Sequence, residues 1–293
     1  MRLHFGFVCL MLVSTLALAQ NNSVSPSRPN QPGEPANVSG SPQGFSFGQR
    51  GTRAHKATAR QREASQELGL DFANAVVYGS GGYGAESVAV ADLNGDGKAD
   101  LVVANCGSGG SSACNSPGLV GVLLGNGDGT FQTVVTYGSG GLGAYSVVVA
   151  DVNGDGKPDL VVANNCASAS NCVSYGPGSV GVLLGNGDGT FQTAVAYGSS
   201  GFDAFSIAVA DVNGDGKPDL VVLNGCVNAS SCENYEHGLV GVLLGNGNGT
   251  FQTAVAYDSG GYVLYGGATA LAVADLNGDG KPDVVVAQCP LPI

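Results

Sequence analysis

The sequence contains no tryptophan, and only 12% of its residues are charged. Long amphipathic helices need more charged side chains than this composition supplies, whereas the 49 glycines suit many short strands joined by tight turns. We therefore predict an all-β fold with few helices. A chain of 293 residues is long enough for one large domain or two smaller ones, and the composition favours a single one.

Arginine is absent from residue 71 to the end of the chain. Over that region 20 Asp and Glu stand against four Lys, a net charge of −16, whereas residues 20–70 carry a net charge of +3. A domain with this charge and no Arg has no evident means of holding a phosphate backbone. The sequence therefore argues against nucleic acid as a partner.

The N-terminus has the pattern of a secretory signal peptide. An apolar run from Phe5 to Leu18 follows a basic start and ends in small residues just before Gln20. This pattern predicts a signal peptide over residues 1–19, and hence export to the extracellular space or the cell surface. The run is too short to span a bilayer comfortably, so we expect no transmembrane segment.

Residues 20–70 are rich in Ser, Pro, Asn and Gln and have no hydrophobic period, which predicts a disordered linker.

An acidic segment of nine residues, DxNGDGxxD, occurs four times in the chain. The copies begin at Asp92 and follow one another after 59, 60 and 64 residues, and a GVLLGN segment recurs between them. Repetition at a nearly fixed period indicates an architecture of stacked units. We place the repeats near residues 87–137, 146–197, 206–257 and 270–293, the last of them incomplete.

Each repeat is predicted to contain four short strands, A to D. In the first repeat these are Ser87–Ala91, Leu101–Ala104, Leu119–Leu124 and Gln132–Tyr137. Runs such as VVVA and LVVA show little alternation of polar and apolar residues, as expected for strands covered on both faces. Four antiparallel strands packed between neighbouring repeats describe the blade of a β-propeller.

The two ends of the repeat region complement each other. Phe72–Tyr78 matches the strand D segments that begin at Phe191 and Phe251, while Ala270–Ala287 supplies only strands A and B. We therefore predict, over residues 71–293, a β-propeller of three complete blades and a partial fourth that the N-terminal strand closes. The incomplete blade also offers a route to self-association between chains.

Three pairs of cysteines lie after strand B, at the same place in each repeat. In an exported chain the natural interpretation is three disulfides that close short loops. Zinc is the alternative, but the intervals match no common zinc spacing and no His repeats beside them. Cys289 falls where a fourth pair would begin, which indicates either a truncated chain or a thiol left for pairing between chains. The predicted pairs are Cys106 with Cys114, Cys166 with Cys172, and Cys226 with Cys232.

The acidic segment has the chemistry of a calcium site. Its positions 1, 3, 5 and 9 offer Asp and Asn oxygens, position 6 is Gly and position 7 can give a backbone carbonyl, as in the first nine residues of an EF-hand loop. Three carboxylates so close together repel one another without a cation. One copy alone would leave open the alternative of a plain Asx-rich turn, but four near-identical copies favour calcium.

The residue at position 12 separates these segments from EF-hands. An EF-hand has a bidentate acid there, whereas this chain has Val103, Val162, Val222 or Val286, and strand-forming rather than helical sequence follows. From Phe72 to the end, the segments resemble FG-GAP/VCBS repeats. The resemblance implies a β-propeller with one calcium ion in each loop between strands A and B, as in integrin-like ectodomains and many bacterial surface and secreted proteins.

The resemblance implies about four structural calcium ions, which would bring the net charge of the repeat region from −16 to −8. If each site were held at ten times its dissociation constant, linkage would stabilise the fold by about 1.4 kcal/mol per site. Position 7 contributes its backbone carbonyl. The implied ligands are Asp92, Asn94, Asp96, Lys98 and Asp100; Asp151, Asn153, Asp155, Lys157 and Asp159; Asp211, Asn213, Asp215, Lys217 and Asp219; and Asp275, Asn277, Asp279, Lys281 and Asp283.

The connections at the other end of the strands vary from repeat to repeat. Antiparallel strands alternate in direction, so B–C and D–A connections share this end, which carries the cysteine loops and Tyr83, Tyr145 and Phe205. Loops rich in Ser, Asn and Tyr suit recognition of a glycan or an extracellular protein, although solvated turns explain them equally well. The candidate contacts are Tyr175, Tyr235, Glu236 and His237.

Catalysis is the less favoured function. The repeat region has one His and neither a GxSxG nor an HExxH motif, and 12 of its 20 carboxylates are assigned to calcium. Glu236 beside His237, or Glu233 with Glu236, leaves a polysaccharide lyase or hydrolase as the alternative. GxGxxG segments at Gly79 and Gly138 lead into strands, so they do not predict a nucleotide site. We expect a binding, adhesion or scaffolding module rather than an enzyme.

Overall fold

The computed structural model describes residues 75–108, 114, 116–168, 176–229, 232, 237–262 and 270–287. The described residues from Gly79 onward belong to one compact unit, and residues 75–78 belong to another. No described helix is long and apolar enough to cross a membrane. The predicted signal peptide and linker, residues 1–70, lie outside the described residues.

Twelve strands are defined within these residues, and they confirm the predicted all-β class. The predicted strands A, B and C of the first repeat correspond to the first three. In chain order the strands are β1 (Tyr83–Ala91), β2 (Asp100–Gly107), β3 (Pro117–Leu123), β4 (Val135–Ala150), β5 (Asp159–Cys166), β6 (Pro177–Leu183), β7 (Val195–Ala210), β8 (Asp219–Cys226), β9 (His237–Leu243), β10 (Val255–Tyr262), β11 (Ala270–Ala274) and β12 (Asp283–Ala287).

Strands β1 to β10 form one antiparallel ladder in which every strand pairs with the next, and β11 and β12 form a separate pair. The two longest strands, β4 and β7, each pair with different neighbours along their two halves. Residues 135–142 of β4 pair with β3, whereas residues 142–150 pair with β5. The fold therefore consists of four successive repeat units. The first runs from β1 to the first half of β4, and the second from the second half of β4 to the first half of β7. The third runs from the second half of β7 to β10, and the fourth contains β11 and β12.

The connection between strands D and A is not the loop that the sequence predicts. The chain runs through it as continuous strand, with one register shift in the second half of β4. Gly140 and Gly143 adopt φ values of +85° and +61°, which favour glycine, so the strand bends there without breaking. Tyr83, Tyr145 and Phe205, predicted in loops, consequently lie in β1, β4 and β7.

Successive repeat units pack face to face, and the core lies between them. Val102 and Val120 of the first unit are fully buried in one cluster with Leu160 and Val162 of the second. On the opposite face of the second unit, Val161 is fully buried in the cluster shared with the third. Both faces of an LVV run are thus covered, which is why the sequence shows no alternation there.

A Ser–Asn pair recurs three times in the sheet, part-buried in the first instance and buried in the other two. Ser139 Oγ donates to Asn164 Oδ1, and Asn164 Nδ2 donates back to the carbonyl oxygen of Ser139 at 3.2 Å. The same carbonyl lies so close to Gly181 that a Cβ there would overlap it. The glycine of the GVLL segment is therefore required by packing rather than by a turn. The equivalent pairs, also 25 residues apart, are Ser80 with Asn105 and Ser199 with Asn224.

The predicted closure by an N-terminal strand does not appear in the described part of the chain. The sequence predicts an outer strand over Phe72–Tyr78, but residues 75–80 form no strand, and residues 72–74 are not described. Among the described strands, β12 pairs only with β11, so the sheet is open at this end. A strand D pairs with a strand C, and the described part of the fourth repeat has none.

Candidate functional site

Each acidic loop connects strand A to strand B of one unit, and the first joins β1 to β2 over residues 92–100. Its conformation is set by Asp92, whose carboxylate accepts hydrogen bonds from the backbone N–H groups of Gly95 and Gly97, both at 2.8 Å. These two glycines have φ values of +76° and +77°, which glycine adopts at little cost. The motif thus encodes a turn that wraps around one carboxylate.

The other three acidic loops repeat this geometry. Asp151, Asp211 and Asp275 each accept hydrogen bonds from the N–H groups three and five residues later, at 2.7–2.9 Å. The N–H group of Gly216 holds the pKa of Asp211 below its ordinary value. Asp211 is therefore ionised at neutral pH, as a cation site requires.

Positions 3, 5 and 7 of the loop are linked in series. Asn94 Oδ1 accepts the N–H of Asp96 at 2.9 Å, and Asp96 Oδ1 accepts the N–H of Lys98 at 2.9 Å. This second bond lowers the pKa of Asp96. Lys98 Nζ also lies 3.2 Å from Asp96 Oδ2, but an ion pair this exposed contributes little to stability. A cation can therefore reach the carboxylate of Asp96 from solvent.

The aspartate at position 9 is buried and joins two connections. In the second repeat, Asp159 Oδ2 accepts the N–H of Val152 at 2.9 Å. Its Oδ1 accepts the N–H of Gly185, at the end of strand C, at 2.8 Å. A carboxylate that satisfies two backbone donors fixes the acidic loop against the C–D turn. The equivalent residues, all at most 3% exposed, are Asp100, Asp219 and Asp283.

The ionised form of the buried carboxylate is destabilised by its surroundings. Burial raises the pKa of Asp159, although the N–H groups of Gly185 and Val152 offset part of the rise. The like charges of Asp155 and Asp151 raise it further. A cation in the loop would remove this repulsion, so the chemistry of the donor set fits Ca²⁺.

The carboxylates of an acidic loop are nevertheless not gathered around one point. Among the described residues, three His, Cys, Asp or Glu side chains bring their ligand atoms within 4.8 Å of one another only at two disulfides, beside Glu86 and beside Asp203. Cysteines in disulfides are not thiolate ligands. Calcium binding would therefore require the aspartates of a loop to rotate toward the ion.

Strand rather than helix follows each acidic loop. Strands β2, β5, β8 and β12 begin at position 9 of the motif. At position 12, Val162 and Val222 are fully buried between units. These valines serve the core, and the loops are not EF-hands, as the sequence predicts.

The GNGDGT segments form the tight turns between strands C and D. Asp128 Oδ1 accepts both the hydroxyl of Thr130, at 2.6 Å, and its N–H, at 2.9 Å, which lowers the pKa of Asp128. The N–H of Asn126 closes the turn on the Thr130 carbonyl at 2.9 Å. Gly127, with φ of +84°, lies against the side chain of Lys98. The acidic loop and the C–D turn thus meet at one end of the unit, as predicted.

The cysteine loops lie at the opposite end of the strands, after strand B. Two of the three predicted disulfides lie wholly within the described residues, and both are formed, with Cα atoms 5.0 Å and 5.2 Å apart. Cys166 is also disulfide-bonded, and its predicted partner, Cys172, lies outside the described residues, as does Cys289. The two formed pairs are Cys106 with Cys114 and Cys226 with Cys232.

Three of the four predicted ligand contacts, Tyr175, Tyr235 and Glu236, lie outside the described residues. The fourth, His237, begins β9. At this end of the strands the structure instead brings together Tyr145 and Phe205, equivalent positions of successive units. Their ring centroids are 5.4 Å apart and the planes are inclined by 56°. This aromatic pair joins two units beside their cysteine loops.

Sequence reasoning missed Asp203, which stands where the earlier repeats have Gly84 and Gly143. All three residues have positive φ, with Asp203 at +55°. Asp203 is 6% exposed, and its Oδ1 has no hydrogen-bond partner. Burial raises its pKa to about 7, although the N–H of Gly176 lowers it in part. Aligning the repeats reveals an acid in place of a glycine, but the alignment does not reveal its burial.

The strands, turns and disulfides together define an all-β repeat protein with acidic loops at one end. Family models agree: one described as an FG-GAP-like repeat matches residues 110–162, 169–222 and 229–286, and one described as an FG-GAP repeat matches residues 84–115 and 143–183. More than half of the chain is covered, so the chain belongs to the FG-GAP repeat family, which its motifs resemble. Repeats of this kind occur in integrin-like binding modules and are generally not enzymatic. With the two disulfides, they are consistent with an extracellular location.

Proposed function

We propose that this chain is an exported FG-GAP module that binds calcium in its acidic loops and a glycan or extracellular protein at its cysteine-loop end. The observation that carries the proposal is the segregation of two kinds of connection to opposite ends of the same strands. The N–H of Gly125 donates to Asp100 Oδ1 at 2.7 Å, so the constant A–B loop and C–D turn share one end. The variable, disulfide-closed connections after β2 and β8 lie at the other end.

The acidic loops support calcium binding through their donor set. Each offers three carboxylates, one Asn amide oxygen and the carbonyl at position 7 within nine residues, toward the roughly six to eight oxygens that calcium takes. When bound, Ca²⁺ supplies the positive charge that offsets the mutual repulsion of the carboxylates. The buried aspartate at position 9 keeps the loop docked on the C–D turn, while the aspartates at positions 1 and 5, which are exposed or half-buried, present oxygens to the ion.

We further propose that the repeat units are the blades of a β-propeller. Strand A of each unit contacts strand A of the next, in the series β1, β4, β7 and β11. Ser206 Oγ accepts the N–H of Leu271 at 3.2 Å across one of these contacts. Innermost strands that lie side by side, with whole sheets packed face to face behind them, are the arrangement found around a propeller axis.

The cysteine-loop end supports recognition because its loops are restrained. The disulfides of Cys106 and Cys226 close loops immediately after strand B, and a restrained loop loses less conformational entropy when it binds a ligand. Polar loops that contain Tyr provide adaptable hydrogen bonds and aromatic contact area. Variation confined to this end is what a recognition surface on a constant scaffold requires.

Calcium binding is tested by titrating the chelator-treated full chain with CaCl₂ in a calorimeter. The Asp96→Asn variant is expected to lose one site, because it removes a carboxylate from the first loop while keeping the acceptor for the N–H of Lys98. Asp128→Asn is the matched control, since Asp128 accepts the N–H two residues later at the same 2.9 Å. In the third repeat, Asn248 already fills that role. Absence of binding heat at millimolar calcium, or equal loss of sites in both variants, would contradict the calcium proposal.

Ligand binding is tested by probing arrays of glycans and matrix proteins with the calcium-loaded full chain. Tyr235→Ala is expected to weaken binding, while Tyr257→Ala, on the exposed outer strand β10, serves as the control. If neither variant changes binding to any probe, the assignment of the cysteine-loop end is wrong.

Polysaccharides incubated with the chain should release no product. Release that the Glu236→Gln variant abolishes would establish catalysis instead.

A further inference from the structure

Each repeat unit has two large faces, and the interior contacts show how the faces pair. The leading face packs on the preceding unit and carries Val147 in the second unit and Ile207 in the third. The trailing face packs on the following unit and carries Leu93 in the first unit and Val152 in the second. All four side chains are 5% exposed or less. Every interior contact therefore joins a trailing face to a leading face.

The first and last units each keep one of these faces uncovered. Val88 is the repeat equivalent of Val147, yet it is 57% exposed on the leading face of the first unit, next to Val90 at 64%. Leu276 is the repeat equivalent of Leu93, yet it is 60% exposed on the trailing face of the last unit. Positions that elsewhere form the core are thus in contact with water at both ends of the stack.

We propose that a second copy of this chain covers these faces, with the first unit of one copy packed on the last unit of the other. The two faces are complementary, because the same contact of trailing face with leading face holds together all four units of one chain. Within the described residues both faces are exposed, and another copy presents the same apolar surface. The contact is heterologous, head to tail, rather than two-fold symmetric.

The contact between copies is weaker than the contact between units of one chain. In the interior, Ser87 Oγ accepts the N–H of Val147 at 3.5 Å, and Ser206 Oγ accepts the N–H of Leu271 at 3.2 Å. The last unit has Ala270 at this position, so its trailing face offers no hydroxyl to a second copy. We therefore expect self-association weak enough that sedimentation detects both monomers and larger species as the protein concentration is varied.

The test is analytical ultracentrifugation of the full chain over a wide range of concentration, in calcium-containing buffer. The wild-type mass is expected to rise with concentration to multiples of the chain mass. Ala272 is exposed on the trailing end face, where it is the repeat equivalent of Ala89 in the interior contact. Val88→Glu and Ala272→Glu, on the leading and trailing end faces, are each expected to remain monomeric because each removes one half of every contact. Val255→Glu is the matched control, since Val255 is 55% exposed on β10, away from both end faces, and its assembly should equal wild type.

A mixture of the two monomeric variants separates head-to-tail contact from two-fold association. The intact trailing face of the Val88→Glu chain accepts the intact leading face of the Ala272→Glu chain, so the mixture is expected to form dimers and nothing larger. Circular dichroism of each variant confirms that it is folded. A wild type that stays monomeric at every concentration, because the chain closes on itself or another segment covers the faces, would overturn the proposal. A mixture that remains monomeric would also overturn it.

A gain of affinity provides an independent check. Ala270→Ser adds the hydroxyl that the interior contacts have, and one additional hydrogen bond is expected to tighten self-association about fivefold. An unchanged or weakened association constant in this variant would contradict the proposed pairing of the end faces.

Discussion

The carboxylate of Asp100 accepts the backbone N–H of Gly125 at 2.7 Å, and both groups are buried. The other carboxylate oxygen accepts the N–H of Leu93 at 2.9 Å. One side chain thus satisfies donors from the acidic loop and from the end of strand C, independently of any ion. The aspartate at position 9 therefore has a structural role in addition to the proposed ligand role, and the two roles can be separated experimentally.

Asp100→Asn is expected to lower the free energy of unfolding by about 1–3 kcal/mol, because an amide leaves one buried N–H without an acceptor. Urea denaturation in excess chelator measures this loss without any contribution from calcium. The exposed Asp128→Asn variant should match wild type under the same conditions. An Asp100→Asn chain as stable as wild type in chelator would show that the buried hydrogen bonds contribute nothing.

Asp203 is expected to make the protein less stable as the pH rises. Its pKa is about 7 in the folded chain and ordinarily 3.8, so between these values the folded state keeps a proton that the unfolded state releases. The free energy of unfolding therefore falls between about pH 4 and pH 7, by up to about 4 kcal/mol, and is then constant in this respect. The neighbouring Cys226 and Cys232 form a disulfide and do not titrate.

Two substitutions separate the two ways in which Asp203 lowers stability, namely its buried carboxylate and its backbone conformation. Asp203→Asn should abolish the loss of stability with rising pH while keeping a side chain at φ of +55°. Asp203→Gly, the residue of the earlier repeats, should stabilise the chain further by about 1 kcal/mol, because glycine tolerates that backbone conformation. The readout is the urea midpoint at pH 5 and pH 8. A pH dependence retained by both variants would exclude Asp203 as its source.

Glycines at two positions of one strand pair should respond oppositely to substitution. In Gly181→Ala the new Cβ overlaps the carbonyl oxygen of Ser139, and backbone cannot move aside as a flexible side chain does. We expect a loss of about 3 kcal/mol or more. Gly198 has open space around a Cβ, so Gly198→Ala should be nearly neutral. Thermal unfolding of both variants measures the difference, and equal melting temperatures would contradict the packing described for Gly181.

Removal of one disulfide should destabilise the chain by about 2.5 kcal/mol, the chain-entropy value for so short a loop. The double substitution Cys226→Ser with Cys232→Ser isolates this effect, since reducing agent would open every cysteine loop at once. Guanidinium unfolding of this variant provides the measurement. If binding at the cysteine-loop end needs a restrained loop, the variant should also bind more weakly at temperatures where it remains folded.

Much of the fold is readable from the sequence because the decisive interactions are local. The acidic loops are shaped by carboxylates that accept N–H groups within five residues, as at Asp92, and such turns are encoded by the order of Asp, Asn and Gly. The pairing of Cys106 with Cys114 spans eight residues. The lack of alternation at Leu160–Ala163 correctly indicated strands covered on both faces.

The predictions that the structure corrects or does not show concern how one unit joins the next. The glycine-rich stretch around Gly140 has the composition of a loop, yet tertiary packing holds it extended as the middle of β4. Phe72–Tyr78 has the sequence pattern of a strand D, yet residues 75–80 form no strand, and a strand D pairs with a strand C, which is not described in the fourth unit. Burial of Asp203 likewise depends on the neighbouring cysteine loop rather than on adjacent residues.

The sequence by itself determined the number of repeats, the acidic loops, the tight turns and two of the disulfide pairs, because each depends on patterns or contacts of residues close in the chain. Only the tertiary structure decided the continuity of β4 and β7, the burial of Asp203 and the exposure of Val88 and Leu276. These features depend on which faces meet across distant repeats. Equivalent positions in nearly identical local sequences, such as Val88 and Val147, therefore differ in burial because of their place in the stack.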